Sequence, residues 1–495
     1  MKLKVRFLKW SAGIPVAMLQ KETANRLGIK TKERINLKTI SRRPKEFSTI
    51  VDIIQNGMVK KNEIGINKEI QKQITLREGQ FIEVGLTELP RSVNYIKDKL
   101  NDGRLSKKEI AEIIKDIVKN NLSEAEVALF ISAMYKSGMS FKETIYLIDA
   151  ILASGNVLKL QKKGLIVDKH SIGGIPGNRT TPLVVSICAS AGLIMPKSSS
   201  RAITSAAGTA DVIEALANIE FTMPEIKKIV SKTNACMVWG GSLGMVPADS
   251  KIIQVEKELR IDPEAQLLAS IMSKKLSLGA KYILIDIPYG KSAKVSKKRA
   301  LELKKKFERL GKYFNKKLKV VLTDGTQPIG NGVGPFLELV DILNVLTPGQ
   351  DGPQDLADKS CFLAGELFEM TKKAKKGKGF EMAKDILCSG EALKKFKEII
   401  EAQGGKIKKI PSAKYSKSIR SKTGGKIKEI NNKQINLVAR LAGSPTDKAA
   451  GIYLHVHLDD KVKKRDKLLT IYAESKSLLN EAYKFYKKTK PIKLK

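Results

Sequence analysis

Between Val167 and Leu216 the chain places two loops rich in glycine, hydroxyl and cationic groups on either side of one apolar segment. The first runs Lys169-His170-Ser171 into Gly173-Gly174, directly after the β-type run GLIVD. Lysine supplies a mobile charge, serine supplies a donor, and glycine lets bare backbone N–H groups approach an anion. The second runs Ser198-Ser199-Ser200-Arg201 through Thr204, Ser205 and Gly208-Thr209 to a helix expected to begin near Asp211. Hydroxyls and N–H groups beside a helix N-terminus favour negative charge. Either loop alone would be ordinary turn and cap chemistry. Together they predict phosphate groups, either two on one ligand or one on each of two neighbouring ligands. A Walker loop is argued against, because it needs Lys and Ser/Thr directly after its last glycine, whereas Asn178 and Arg179 follow Gly177.

Further along, Asp262-Pro263-Glu264 opens an amphipathic helical run. Local sequence alone favours Asp262 as a helix N-cap. Ser270 falls two turns later on roughly the same expected face, with Lys274 one turn beyond. Lys294 follows the strand-end DIPYG and by itself is one solvated lysine among many. His455 and His457 alternate on one strand face, but two ligands make an incomplete metal site. They are expected to be structural, and no metal is expected.

At this point the strings DKHSxGG and SSSRAITSAAGTADVIE resemble the signature of the thymidine and pyrimidine-nucleoside phosphorylase family. MVWGGSLGMVPAD (237–249), DPEAQLLASIMSKKL (262–276), DGTQPIGNGVGPFLE (324–338) and the C-terminal KAAGIYL and KLLTIYAES agree, so the resemblance spans roughly residues 90–480. KHSIGGIPGN, SSSRAIT, DIPYG and the extra N-terminal module are most similar to the archaeal branch that acts on AMP. The resemblance implies phosphorolysis, in which phosphate attacks C1′ and the base leaves. In that branch the products are free base and ribose 1,5-bisphosphate, from AMP and also CMP and UMP. It implies Lys169, Ser171, Ser199 and Thr209 as holders of the attacking phosphate, and Asp262 as proton donor to the leaving base. It implies nucleotide contacts at Gly174, Ser200, Arg201, Ala202, Ile203, Thr204, Ser205, Thr209, Ser270 and Lys294, with Ala202 and Ile203 acting through backbone atoms and Lys294 clamping the 5′-phosphate. His170 and Lys274 would touch base or sugar. The pyrimidine enzymes carry an arginine where alignment on Ser270 puts Val255, which argues for a changed base pocket. No organic cofactor is implied, phosphate being a co-substrate, and a homodimer or larger assembly is. GTADVIEAL also resembles the related anthranilate phosphoribosyltransferases.

The elements that must carry these residues form an α/β multidomain chain. Residues 1–88 read as a β-rich, barrel-like module (KLKVRFL, RINLKTI, STIVDII, QFIEVGL). Residues 90–155 read as a helical domain, rejoined by about 247–278, with Ser106/Glu109 and Ser123/Glu126 spaced as capping boxes. Strands alternating with helices over 156–246 and 280–405 predict a mixed, mostly parallel sheet, which with the helical domain encloses a cleft. Residues 406–495 read as a separate α+β domain.

Composition sets the outer limits. A chain of 495 residues, 42% hydrophobic and 29% charged, is expected to be globular and to have several cores. No apolar leader or span is visible, and the four scattered cysteines suit reduced thiols, so a cytoplasmic location without membrane contact is expected. The net charge of +40 is spread over Lys-rich helices, and with only 5% aromatic residues no stacking platform for nucleic acid is visible. An RNA-binding protein without catalysis is the reading from another class. A solvated basic surface that also draws in phosphorylated small molecules is favoured.

Overall fold

The computed structural model describes residues 1–55, 57–87, 89–160, 163–202 and 205–495, with only the backbone of Ser242. The chain divides into two compact units. The first comprises Met1–Gly155 and Pro247–Ser270, the second Asn156–Val246 and Ile271–Lys495.

In the first unit, six strands close into a barrel in the order β1-β5-β2-β4-β3-β6: β1 Lys2–Phe7, β2 Val16–Gln20, β3 Arg34–Thr39, β4 Glu46–Ile54, β5 Glu63–Ile66 and β6 Phe81–Leu86. Alternate residues of β1, β3 and β6 point inward, so Leu3, Val5, Ile35, Leu37, Ile82 and Val84 are buried. β2 and β5 do not alternate. Met18 is buried with Leu8 and Val59 on the face away from the barrel core, and a Cβ at Gly65 would lie 2.7 Å from Val59. The helices Ser92–Leu100, Lys107–Val118, Glu124–Ser137 and Phe141–Ala153 follow. Ser106 with Glu109 and Ser123 with Glu126 form the expected capping boxes, and Ser140 with Glu143 forms a third. Glu143 also accepts the Leu105 N–H at 3.0 Å and pairs with buried Lys99 at 3.0 Å. The helix Pro247–Leu259 rejoins this bundle, where Lys251 donates to the carbonyls of Ile117 and Val118 at 3.1 and 2.7 Å and so caps a helix C-terminus.

In the second unit, β7 Val167–Ser171, β10 Tyr282–Tyr289 and β11 Lys317–Asp324 pair in parallel in the order β11-β10-β7. β8 Met195–Ser199 and β9 Ala235–Trp239 form a parallel pair, linked to β7 through the bridge Ile166–Ile194. The helix Thr180–Ser190 is buried along almost its whole length, as suits an uncharged helix with apolar residues on every side. The helix Lys297–Tyr313 buries Ala300, Leu303, Phe307 and Leu310 on one face and leaves its lysines in water or at the boundary, as a solvated basic face requires. The C-terminal part is antiparallel. β12 Gly332–Val333, β15 Gly451–Leu454, β17 Lys467–Ala473 and β13 Tyr415–Arg420 form one sheet, and β16 Lys461–Val462, β14 Gly425–Ile430 and β18 Ile492–Leu494 another. Cys188, Cys236, Cys361 and Cys388 are free thiols, and burial pushes the first three above their ordinary range.

Removing Glu143 would strand the Lys99 ammonium in the bundle interior and uncap the helix Phe141–Ala153. Glu143→Ala is expected to cost about 3–5 kcal/mol of stability in urea unfolding; a loss below about 1 kcal/mol would contradict this assignment.

Candidate active site

Parallel pairing brings the carboxyl ends of β7, β10 and β11 to one edge of the sheet, where open α/β folds bind ligands. The register sets Ser171 beside Asp286. Asp286, fully buried in an otherwise apolar strand, accepts from Ser171 Oγ at 2.9 Å and Thr323 Oγ1 at 2.6 Å, and pairs with Lys359 at 3.3 Å. Asn178 donates to the Ser171 hydroxyl at 3.2 Å. Lys169 is buried and donates to Thr180 Oγ1 at 2.6 Å. Behind it, Asp168 holds two further buried lysines, Lys275 at 2.6 Å and Lys197 at 3.3 Å.

This region holds more cationic groups than carboxylates, and the lysines respond. Burial lowers the Lys169 ammonium to about 7; Asp286 opposes the shift, while Lys359, Lys197 and Arg179 add to it. Burial lowers Lys275 as well, against the pull of Asp168. His170, half-buried at its surface, is held well below its ordinary value by burial and by Lys275, Lys197, Lys274 and Lys169, so its ring is neutral near pH 7.

The second loop is fixed from within. Asp211 accepts the N–H groups of Ala202 and Gly208, both at 2.8 Å, and a Cβ at Gly208 would lie 2.4 Å from the Ser200 carbonyl. Ser205 Oγ donates to the Ala207 carbonyl at 2.7 Å, while Ser200 is exposed. Arg179 ties this loop to the first, donating to Thr209 Oγ1 at 3.2 Å and the Ala207 carbonyl at 2.7 Å while pairing with buried Glu338 at 2.5 Å. Ser199 Oγ is buried and has no hydrogen-bond partner among the described residues. Gly174 adopts φ +90°, and a Cβ there would lie 3.1 Å from the Lys294 Cβ, so the first loop and Lys294 are neighbours.

Within the second unit, Lys169 feels the Asp286 carboxylate that holds Ser171 and the Arg179 guanidinium that holds Thr209, while Gly174 lies against Lys294. Ile203 and Thr204 lie outside the described residues. Arg201 already has partners within the protein. Its guanidinium is taken up by Glu214 at 2.7 and 2.9 Å and Glu220 at 3.4 Å, and stacks 4.9 Å from the Trp239 ring, so it braces the loop. The Ala202 N–H is likewise already engaged, which leaves its carbonyl for any ligand. Asp262 and Ser270 belong to the first unit, where Asp262 is exposed and Ser270 buried, and Lys274 to the second. The expected common helix face for Asp262 and Ser270 needs correction. The helix runs Glu264–Ser277 and the Leu267 N–H bonds to the Pro263 carbonyl, so Asp262 precedes the helix. His455 Nε2 meets Thr470 Oγ1 and His457 Nε2 meets Asn331 Oδ1, each at 2.9 Å. Among the described residues no cluster suits a metal ion.

Sequence reasoning passed over Asp286, Lys359, Arg179 and the Asp168–Lys197–Lys275 group. One carboxylate inside YILIDIPY was a usable signal, because a lone charge in a buried strand needs partners. Lys359 carries no such mark among so many lysines.

Residues 93–155 match the glycosyl transferase family helical bundle domain, 163–393 the glycosyl transferase family a/b domain, and 426–493 the pyrimidine nucleoside phosphorylase C-terminal domain. AMP phosphorylase of Pyrococcus horikoshii is 46% identical and that of Thermococcus sibiricus 43%, each aligned over 100% of this chain and 98% of its own. This chain belongs to the AMP phosphorylase family. The Methanocaldococcus jannaschii member is 43% identical over 88% of this chain and 87% of its own. Anthranilate phosphoribosyltransferase from Thermus thermophilus shares the fold, with a TM-score of 0.52 at 18% identity over 63% of this chain and 99% of that one. The likeness to that group extends to architecture alone.

A bound anion favours the charged form of Lys169, so binding should take up a proton. Affinity is then full below pH 7 and falls as pH rises through the free-state value of about 7. Sulfate, whose charge is constant over this range, is expected to lose about tenfold in affinity per pH unit above that point for one linked proton. Calorimetric titration at several pH values checks this; a flat profile would contradict a deprotonating Lys169.

Proposed function

We propose that this chain catalyses the phosphorolysis of AMP, and of CMP and UMP, by inorganic phosphate. A phosphate oxygen forms a bond to C1′, the bond from C1′ to the base nitrogen breaks, and the products are free base and ribose 1,5-bisphosphate. The observation that carries the reading is a pair of anion-suited loops sharing one strand edge above a buried excess of lysine, in a chain of the AMP phosphorylase family. Lys169, Ser171, Ser199 and Thr209 hold the attacking phosphate. The unpartnered Ser199 hydroxyl suits a donor waiting for an oxyanion. Lys294, beside Gly174, takes the 5′-phosphate. The positive surroundings lower the energy of an incoming dianion, and its placement below the sugar supplies most of the remaining advantage. Asp262 protonates the departing base. It is exposed in the first unit. Ser270, Lys274 and His170 contact base or sugar, His170 as a neutral ring. The reaction uses no organic cofactor or metal. A homodimer or larger assembly in the cytoplasm fits this reading; among the described residues no helix is long and apolar enough to cross a membrane.

The rival is a pyrimidine-nucleoside phosphorylase, the group that gives the C-terminal domain family its name. Val255 is buried and apolar where that group carries an arginine, which favours the nucleotide reading.

Purified protein given phosphate and AMP, adenosine, CMP or thymidine is expected to release adenine from AMP and not from adenosine, as followed by chromatography. Thymine release from thymidine alone would overturn the substrate assignment. Asp262→Asn is expected to lower kcat by about 100-fold or more with KM for AMP nearly unchanged; wild-type turnover would remove it from the acid role. Lys294→Met is expected to raise KM for AMP by about tenfold or more, the loss of one charge-assisted phosphate contact; an unchanged KM would place the 5′-phosphate elsewhere.

A further inference from the structure

The helix Asn432–Leu441 lies in the C-terminal region, yet two of its residues reach out of it to four separate loops. The Asn432 N–H donates to Ser292 Oγ at 3.2 Å and its Nδ2 to the Gly325 carbonyl at 2.8 Å. One turn later, Asn436 Oδ1 accepts the Ala206 N–H at 3.1 Å and its Nδ2 reaches the Gly174 carbonyl at 3.5 Å. Both asparagines are buried, and their spacing puts them on one helix face. Gly174 follows β7, Ala206 follows β8, Ser292 follows β10 and Gly325 follows β11. One helix face therefore fixes the loops at the carboxyl ends of four parallel strands. The amide orientation of Asn436 is set by chemistry. Ala206 N–H can only donate, so it must meet Oδ1, which turns Nδ2 toward the Gly174 carbonyl.

We infer that Asn436, which joins the two phosphate loops, and Asn432, which holds the Ser292 and Gly325 loops, are positioning residues whose shared helix face sets the span between attacking phosphate and 5′-phosphate. The inference rests on the phosphorolysis reading. Asn436 acts only through backbone atoms of the loops. A ligand with two phosphoryl groups must satisfy both places at once, so it is sensitive to their separation; a lone phosphate fills one place and is not.

The test is calorimetry on the full chain, comparing ribose 1,5-bisphosphate with inorganic phosphate for wild type and Asn436→Ala, alongside the melting temperature. The variant is expected to lose about tenfold or more in bisphosphate affinity and less than about twofold in phosphate affinity, as misplacement of one of two linked contacts predicts. If that variant does not fold, Asn432→Ala, which frees the Gly325 loop from its side-chain anchor, is expected to give the same split. Equal losses for the two ligands, or no loss for the bisphosphate, would overturn the inference. Wild-type protein that releases no adenine from AMP and phosphate would instead defeat the phosphorolysis reading, and the two failures are read from different samples.

Discussion

Buried lysines outnumber the carboxylates that hold them at the carboxyl edge of the parallel strands. Lys169, Lys197, Lys275 and Lys359 gather around Asp168 and Asp286, all enclosed by protein. Uncompensated charge in such a place is costly, and two outcomes relieve it: a lysine sheds its proton, or an anion enters. Burial lowers the Lys169 ammonium to about 7, which moves the free protein toward the first outcome. The second is the proposed chemistry. The fold supplies what keeps this cluster together, since pairing of β7 with β10 sets Ser171 beside Asp286 and a slip of one residue would turn Asp286 to the other face.

The same electrostatic view separates two kinds of positive charge. Most of the +40 lies on solvated faces such as that of the helix Lys297–Tyr313, where water screens it. Such charge can steer anionic substrates toward the protein but discriminates little among them. In the proposed reaction, discrimination falls to the buried lysines and hydroxyls, whose geometry is fixed by hydrogen bonds to other parts of the fold.

What local sequence revealed was local in cause. Serine three residues ahead of glutamate announced two capping boxes, and the mostly apolar, uncharged run of Thr180–Ser190 announced a buried helix. Both anion loops were visible because glycine and hydroxyl residues concentrate in short segments. β2 and β5 were missed because both of their faces are covered, which erases the alternation that marked β1, β3 and β6. Asp262 was placed on a helix that in fact begins after Pro263. The side-chain commitments of Arg201 could not be foreseen, since they depend on Glu214, Glu220 and Trp239 folding back onto it. Asn436 reaches residues more than 200 positions away in sequence and leaves no trace in local composition.

The most direct measurement is a crystal structure of the protein with ribose 1,5-bisphosphate bound. The expected result is two phosphoryl groups in one site, the first against Lys169, Ser171, Ser199 and Thr209 and the second against Lys294. A single phosphoryl position, or a ligand held away from Lys169, would contradict a reaction that joins one phosphate to a sugar already carrying another.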